Sequence, residues 1–134
     1  MSVFSFLDEV TELKKGESVT AFFTLHGDEE FLEDHFEGFP VMPGVLQLET
    51  LKQAAFHLLA ESEGRPLWAY RLAEASDVRF GQFVKPGSRL KVSVRMGQRG
   101  PQAISCSGRI DLLQDGVAVG RSLSADLTIG SVGL

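Results

Sequence analysis

The sequence predicts an α+β domain in which one long helix packs against several antiparallel strands. Residues 45–62 contain no Gly or Pro and are rich in Leu, Ala, Gln and Glu, which favours a helix of about four to five turns. After the helix, strand-like segments are separated by the turn sequences KPGS, GQRGP and QDG. With 134 residues, 43% of them hydrophobic, the chain is long enough for one core, so we expect a single domain over residues 1–134.

The predicted strands lie on both sides of the helix in the sequence. Residues 18–26, SVTAFFTLH, predict the strand before it, because β-branched and aromatic residues are common there. Four strands are predicted after it, at residues 70–84, 89–96, 103–114 and 117–129. Short turns between successive strands favour antiparallel pairing, so we expect an antiparallel sheet.

The helix is expected to be largely buried, with Glu49 at the border of its apolar side. On a helical wheel one broad arc holds Val45, Leu48, Leu51, Ala55, Phe56, Leu58 and Leu59. The apolar surface is extended around the other side by Leu46, Ala54 and Ala60. Glu49, Gln53 and His57 follow one another at spacings of four along the border of the arc, so Glu49 is expected beside the core.

Charge and composition exclude several classes of function. The net charge of −5 argues against general nucleic-acid binding, although residues 65–134 carry a balance of +5 against −10 in residues 1–64. The first ten residues lack the basic start and apolar run of a signal peptide, and no stretch approaches the roughly 20 apolar residues that span a bilayer. We therefore expect a cytoplasmic protein that does not enter a membrane. Its only cysteine, Cys106, is expected to be a buried and unreactive thiol.

Residues 35–49, HFEGFPVMPGVLQLE, place a histidine and a glutamate at the two ends of a stretch that is mostly apolar, Pro or Gly. Pro43 and Gly44 mark the expected helix start, where amides without a partner in the helix can hold an oxygen that gains negative charge. His35 can take a proton near neutral pH, and Glu49 in a partly apolar wall can give one. Taken alone, the spacing also fits a loop histidine and an ordinary helix carboxylate.

The same segment, extended to HFEGFPVMPGVLQLETLKQAA, resembles the signature H-F-P-G-x-P-x-M-P-G-V-L-x-x-E-A-x-x-Q of the β-hydroxyacyl-acyl carrier protein dehydratases of the hot-dog fold. The residues that match in register are His35, Phe36, Gly38, Pro40, Met42, Pro43, Gly44, Val45, Leu46, Glu49 and Gln53. The segments VTAFFTLHGDEEFLEDHF and DVRFGQFVKPGSRL resemble further parts of this family, so the resemblance covers most of the chain.

The resemblance implies a hot-dog fold, in which a curved antiparallel sheet wraps one long central helix, and a homodimer whose sheets join. In this family the histidine and the acid come from different protomers, so His35 would face the partner's Glu49. The implied reaction removes water from a (3R)-3-hydroxyacyl thioester, carried by an acyl carrier protein, to give the trans-2-enoyl thioester in fatty-acid or related acyl-chain synthesis. His35 would remove a proton from C2, the Gly44 amide would hold the thioester carbonyl oxygen, and Glu49 would protonate the departing hydroxyl. No metal or organic cofactor is implied, and assembly beyond the dimer is open.

Several residues depart from the family pattern. Glu37 and Phe83 replace prolines, and the N-terminal segment of the family is reduced to MSVFSFLDEV. Lys52 stands where the family usually has alanine, inside the predicted apolar arc and within salt-bridge reach of Glu49. We expect Lys52 either to modulate Glu49 or to pack its stem while its amine reaches solvent. Gln53 is expected either to hydrogen-bond Glu49 or to lie on the helix surface.

A basic strand face is the candidate surface for an acidic acyl carrier protein. Residues 89–96 alternate strictly, so that one face of the strand carries Arg89, Lys91 and Arg95 and the other carries Leu90, Val92, Val94 and Met96. The basic face is extended in the prediction by Arg79, Lys85 and Arg99. An ordinary solvated strand face that discourages edge pairing is the alternative interpretation.

Two other functions are compatible with the sequence, and two histidines are not candidates for the site. Hot-dog proteins include thioesterases, which free thiol release would reveal, and a non-catalytic acyl-binding or scaffold protein would bind acyl chains without chemistry. His26 and His57 are interpreted as surface or strand-edge residues rather than metal ligands, because no second ligand stands at metal-binding spacing.

Overall fold

One long helix and six strands make up the described part of the chain. The computed structural model describes residues 7–26 and 41–131. Two strands precede the helix, β1 (Glu9–Lys14) and β2 (Ser18–Thr24), and the helix α1 spans Gly44–Glu63. After a short 3-10 turn at Leu67–Ala69 come the strands β3 (Tyr70–Phe80), β4 (Arg89–Arg99), β5 (Ala103–Gln114) and β6 (Val117–Ser131).

The six strands form one antiparallel sheet in the order β1-β2-β4-β5-β6-β3, and α1 packs on one face of it. This is the arrangement that the hot-dog resemblance implies. The predicted strand at residues 70–84 ends earlier, at Phe80, although two backbone bonds continue to join the chain to β6. They run from Gly81 N–H to the Ser122 carbonyl and from Gln82 N–H to the Arg121 carbonyl, each at 2.9 Å.

The strand β1 is absent from the predicted elements. Its six residues, EVTELK, lie at one edge of the sheet, and all but Leu13 are exposed. An edge strand with two solvated faces needs no apolar alternation, so the sequence carries no periodic signal there.

The buried side of α1 differs from the predicted arc. The residues in contact with the sheet are Gln47, Thr50, Leu51, Ala54, Ala55, Leu58 and Leu59, all buried. Val45 is 71% exposed, so its predicted place in the core is wrong. Val45 lies nine residues, or about two and a half turns, before Ala54 and therefore points away from the sheet. Lys52 is also outside the buried arc, with 28% of its side chain exposed.

Two polar residues on the buried side, Gln47 and Thr50, donate hydrogen bonds to nearby backbone carbonyls. The Thr50 hydroxyl donates to the Leu46 carbonyl at 2.9 Å, one turn earlier in the helix. The Gln47 amide donates to the Met42 carbonyl at 3.3 Å and so ties the helix to the segment before it. Hydrophobicity alone does not predict either residue on this side.

The C-terminal end of α1 is held by a buried tyrosine. Gly64, in the left-handed conformation with φ 67°, donates its N–H to the Ala60 carbonyl and ends the helix at the predicted EGRP sequence. The Tyr70 hydroxyl lies 2.6 Å from Glu63 Oε1 and 3.1 Å from the Leu59 carbonyl oxygen. The other oxygen of Glu63 accepts from Arg99 Nε at 3.0 Å. These contacts join α1 to β3 and β4.

We expect Tyr70→Phe to lower the free energy of unfolding by about 1–3 kcal/mol. The substitution removes the hydroxyl that contacts the Leu59 carbonyl and the Glu63 carboxylate. Burial and then the hydrogen bond with Glu63 raise the pKa of Tyr70 well above its ordinary value. The stabilisation is therefore fully present below pH about 10, the unfolded pKa, and is lost as the pH rises above it. Urea unfolding of both proteins at pH 8 and above 10, at one protein concentration, measures this difference.

The chain contains one tyrosine, so no other tyrosine titrates in this comparison. Cys106 also titrates in the alkaline range, because burial raises the pKa of its thiol to about 11, but it is common to both proteins. Equal stability of the two proteins at pH 8, with the same decline above pH 10, would show that the Tyr70 hydroxyl does not hold the helix end. The burial of Cys106 itself, at 3% exposure, confirms the predicted buried thiol.

Candidate active site

The start of α1 is fixed by the segment that precedes it. Pro43 is the N-cap residue, with φ −59° and ψ 146°, and Gly44 is the first helical residue. The Pro43 carbonyl accepts from the N–H groups of Leu46 and Gln47, at 3.1 and 3.2 Å. Met42 N–H donates to the Val84 carbonyl at 2.9 Å and anchors the helix entry to the segment before β4. The Gly44 amide therefore lies in the first turn, where N–H groups have no acceptor within the helix.

Gly44 is covered on one side by the ring of Phe80. A Cβ atom built on Gly44 would lie 2.7 Å from two ring carbons of Phe80, closer than van der Waals contact allows. Glycine at this position lets the ring from the end of β3 approach the backbone at the helix start. Phe80 is 54% exposed, so its ring also faces outward. Phe80 was not among the predicted site residues, and its position in DVRFGQF was its only signal in the sequence.

The Glu49 carboxylate is held by two neighbours on the same helix. Lys52 Nζ lies 2.8 Å from Oε1, and Gln53 Nε2 donates to Oε2 at 3.0 Å. Each contact was one of two alternatives left open by the sequence, and the spacings of three and four residues account for both. Glu49 and Lys52 are about equally sheltered, with 30% and 28% of their side chains exposed. Lys52 Nζ also lies 5.5 Å from the centre of the Phe56 ring.

Glu49 and Lys52 belong to a stripe of residues along one side of α1. Val45, Glu49, Lys52 and Phe56 follow one another at spacings of three and four residues, which places them on one side of α1. We call this set the outer stripe of α1. It lies roughly opposite Ala54, which is fully buried. The candidate acid is therefore partly accessible on the side of α1 opposite Ala54.

The candidate base, His35, lies outside the described residues. The part of the predicted site that the structure describes consists of Gly44, Glu49, Lys52 and Gln53. Of the other histidines, His26 follows β2 and is exposed, and His57 is half-buried on α1.

Within residues 7–26 and 41–131, no three His, Cys, Asp or Glu side chains are placed to hold a metal ion. In the same ranges, no helix is long and apolar enough to cross a bilayer.

The alternation of β4 is as predicted, but its basic residues differ in their surroundings. Leu90, Val92 and Val94 are buried, whereas Lys91 and Arg95 are exposed on the other face. Arg89 is engaged by its neighbours. Its guanidinium pairs with Glu9, donates to Thr24 Oγ1 at 3.2 Å and lies 4.4 Å from the centre of the Phe22 ring.

Two further residues of the predicted basic face are also neutralised by acids. Arg79 pairs with Asp77 at 3.0 Å on β3, and β5 and β6 separate that strand from β4. Arg99 pairs with Glu63 at the end of α1. In the described ranges, Lys85, Lys91 and Arg95 make no ion pair.

Comparison with known proteins gives matches over most of the chain. The family model described as ApeI-like, ApeI dehydratase, matches residues 11–109. A 3-hydroxyacyl-acyl-carrier-protein dehydratase FabZ of Pediococcus pentosaceus is 43% identical over 91 residues, 68% of this chain and 61% of the relative. The FabZ protein of Lactobacillus helveticus is 36% identical over 108 residues, 79% of this chain and 73% of the relative. The chain thus spans about three fifths of the length of the first of these relatives.

A solved structure confirms the fold. The structure described as the dehydratase heterocomplex ApeI:P from Xenorhabdus doucetiae aligns with 97% of this chain and 84% of its own, with a TM-score of 0.75. Its sequence identity is 16%, so the likeness concerns the fold alone. The neighbours of this chain are hot-dog proteins, and the predicted fold class is correct.

Proposed function

Because the chain belongs to the ApeI-like dehydratase family, as the match over residues 11–109 shows, we propose that it removes water from (3R)-3-hydroxyacyl thioesters to give trans-2-enoyl thioesters. The proposed substrates are carried by an acyl carrier protein, as the names of the FabZ relatives suggest. The proposal includes a place in fatty-acid or related acyl-chain synthesis and a cytoplasmic location. No metal or organic cofactor takes part in the proposed steps.

The observation that carries this proposal is the helix start at Gly44. Its amide lies in the first turn of α1, under the Phe80 ring, where the positive end of the helix dipole favours an oxygen with developing negative charge. We assign this amide to the thioester carbonyl oxygen as C2 loses its proton. His35 takes that proton as general base. Glu49 gives a proton to the departing 3-hydroxyl, directly or through water.

The proposed site is completed by a second protomer. Glu49 lies on the outer stripe of α1, opposite the fully buried Ala54, and is partly exposed, so it is placed to face another chain. In the proposed homodimer, His35 and Gly44 of one protomer meet the partner's Glu49. The Xenorhabdus doucetiae protein is described as a heterocomplex, so a related second chain is the other possible partner, which the oligomeric state of the pure protein distinguishes.

The experiment that tests the function is the absorbance of the enoyl thioester formed from 3-hydroxyacyl thioesters of several chain lengths. We expect turnover of the (3R) substrates and none of the matched (3S) substrates. Absence of turnover at every chain length, from a folded protein that binds acyl thioesters tightly, would replace the proposal with a non-catalytic acyl-binding protein.

We propose that the acidic carrier docks at Lys85, Lys91 and Arg95. These three residues are the members of the predicted basic face that have no ion pair in the described ranges, so their charge is available to a partner. Lys91 and Arg95 are exposed on the same face of β4.

Reversal of charge at two of these positions, Lys91→Glu with Arg95→Glu, is expected to raise the KM for carrier-bound substrate about tenfold at low salt. The coenzyme A thioester of the same acyl chain serves as the control substrate, and its kinetics should not change. The matched variant Lys91→Gln with Arg95→Gln should have an intermediate effect, because it removes the charges without reversing them. An equal loss on both substrates would indicate a damaged fold and would contradict the docking site.

A further inference from the structure

Both oxygens of Glu49 lie next to hydrogen-bond donors in the structure. Its Oε1 lies 2.8 Å from the Lys52 ammonium, and its Oε2 accepts from the Gln53 amide at 3.0 Å. An ion pair with an ammonium requires an ionised carboxylate, and an ionised carboxylate accepts hydrogen bonds and does not donate them. A general acid must carry the proton that it gives. The contacts of Glu49 therefore favour the opposite role, in which it takes a proton from a bound water molecule.

Lys52 is held beside the Glu49 carboxylate. Its side chain is 28% exposed, and its ammonium lies 2.8 Å from Glu49 Oε1 and 5.5 Å from the centre of the Phe56 ring. Partial burial of both charges reduces solvent screening, so this pair is stronger than the more exposed pair of Lys14 and Glu12, whose side chains are 59% and 60% exposed. Lys52 also stands at a position where the family usually has alanine.

Hydrolysis of a thioester needs a base for water and donors for the carbonyl oxygen. The ionised Glu49 supplies the first, and the Gly44 amide at the helix start supplies the second. We propose that the Lys52–Glu49 pair gives this chain a second activity, the hydrolysis of acyl thioesters, with Glu49 as the general base. The proposal rests on the composite site of the proposed function, because it uses Gly44 of one protomer and the partner's Glu49.

The proposed step is balanced in atoms and charge. Water attacks the thioester carbonyl carbon while the Glu49 carboxylate takes one of its protons. The Gly44 N–H donates to the oxyanion of the tetrahedral intermediate. The carbon–sulfur bond then breaks, and the proton moves from Glu49 to the departing sulfur. The products are a carboxylic acid and a free thiol, and Lys52 remains a cation throughout.

The two activities need opposite proton states of Glu49, so Lys52 is expected to shift the balance between them. Removal of Lys52 removes the cation that favours the carboxylate. Lys52→Ala should therefore slow hydrolysis and raise the ratio of dehydration to hydrolysis. Lys52→Arg keeps a cation next to the carboxylate and should retain most of the hydrolytic rate.

The test uses saturated acyl-coenzyme A thioesters of several chain lengths. They have no 3-hydroxyl and cannot be dehydrated, so thiol release from them measures hydrolysis alone. The protein contributes little background to a thiol assay, because its one cysteine is buried and its thiol has a raised pKa. We expect Lys52→Ala to lower kcat for hydrolysis about tenfold, and Glu49→Gln to lower it by a factor on the order of 100 or more. Lys14→Ala, which breaks the exposed ion pair on β1, is the control and should have no effect.

The outcomes separate this inference from the proposed function. Hydrolysis by the unaltered protein that is no faster than that by Glu49→Gln, or that persists undiminished in Lys52→Ala, would overturn the inference. Dehydration of 3-hydroxyacyl thioesters, measured separately by the absorbance of the enoyl product, would be unaffected by that result. Conversely, Lys52-dependent hydrolysis in a protein that does not dehydrate would support the inference and remove the dehydratase proposal.

Discussion

Glu49→Gln is expected to lower kcat for dehydration of 3-hydroxyacyl thioesters by about 10²–10⁴-fold, the usual contribution of a positioned proton-transfer group. The amide has nearly the size and shape of the carboxyl group but carries no proton that it can give to the departing hydroxyl. Substrate binding should change little, because the proposed carbonyl contact is made by Gly44. Initial rates from enoyl absorbance, over a range of substrate concentrations, separate the effects on kcat and KM.

Glu61→Gln is the matched control for this variant. Glu61 lies on the same helix and is exposed, and it belongs to no part of the candidate site, so its substitution should leave the rate unchanged. The fold should survive Glu49→Gln, because the ion pair with Lys52 is partly exposed and such a pair contributes about 1 kcal/mol to stability. A folded Glu49→Gln protein with more than about a tenth of the original kcat would contradict the role of Glu49 as proton donor.

Leu58→Ala is expected to lower the free energy of unfolding by about 2–5 kcal/mol. Leu58 is fully buried on the side of α1 that packs against the sheet, with Leu51 seven residues before it on the same side. The substitution removes apolar contacts and leaves a cavity between the helix and the sheet. Urea unfolding at one protein concentration measures the loss.

Val45→Ala is the matched control for the core prediction. The two residues belong to the same apolar arc on a helical wheel, but Val45 is 71% exposed in the described protomer. Its substitution should change the stability of the protomer by less than about 0.5 kcal/mol. Equal losses from Leu58→Ala and Val45→Ala, measured at a protein concentration at which the protomers are dissociated, would contradict the orientation of α1.

Much of the secondary structure could be predicted because it depends on local pattern. The predicted helix at 45–62 is within one residue of Gly44–Glu63 at each end, and the strand at 103–114 has the observed bounds. Breaks in the helix and strand patterns coincide with Gly and Pro, whose backbone preferences are local. The side of α1 that packs against the sheet was predicted less well. Apolar residues surround most of the helix, so the pattern does not decide which of them meets the sheet, and Gln47 and Thr50 are buried through backbone hydrogen bonds.

The contacts around Glu49 could be predicted because helix geometry fixes them. Lys52 and Gln53, three and four residues after Glu49, are its neighbours on any regular helix. The approach of Phe80 to Gly44 could not be predicted in the same way, because it joins the end of β3 to the start of α1 across the tertiary structure. The ion pair of Arg89 with Glu9 joins β4 to β1 and also depends on the sheet order. Because an acid from another strand can neutralise a basic residue in this way, the basic residues counted along a strand exceed the positive charge that is available to a partner.

The central claim is that each active site combines residues of two protomers, and a mixture of two inactive variants tests it most directly. His35→Ala and Glu49→Gln are purified separately, unfolded, mixed in equal amounts and refolded, and dehydration is compared with each variant refolded alone. In a random mixture half of the dimers contain one chain of each kind, and each of these has one site with both native residues. The account predicts recovery of about a quarter of the native activity, as two-fold symmetry requires. A mixture as inactive as its two components, with mixed dimers demonstrated, would contradict the account.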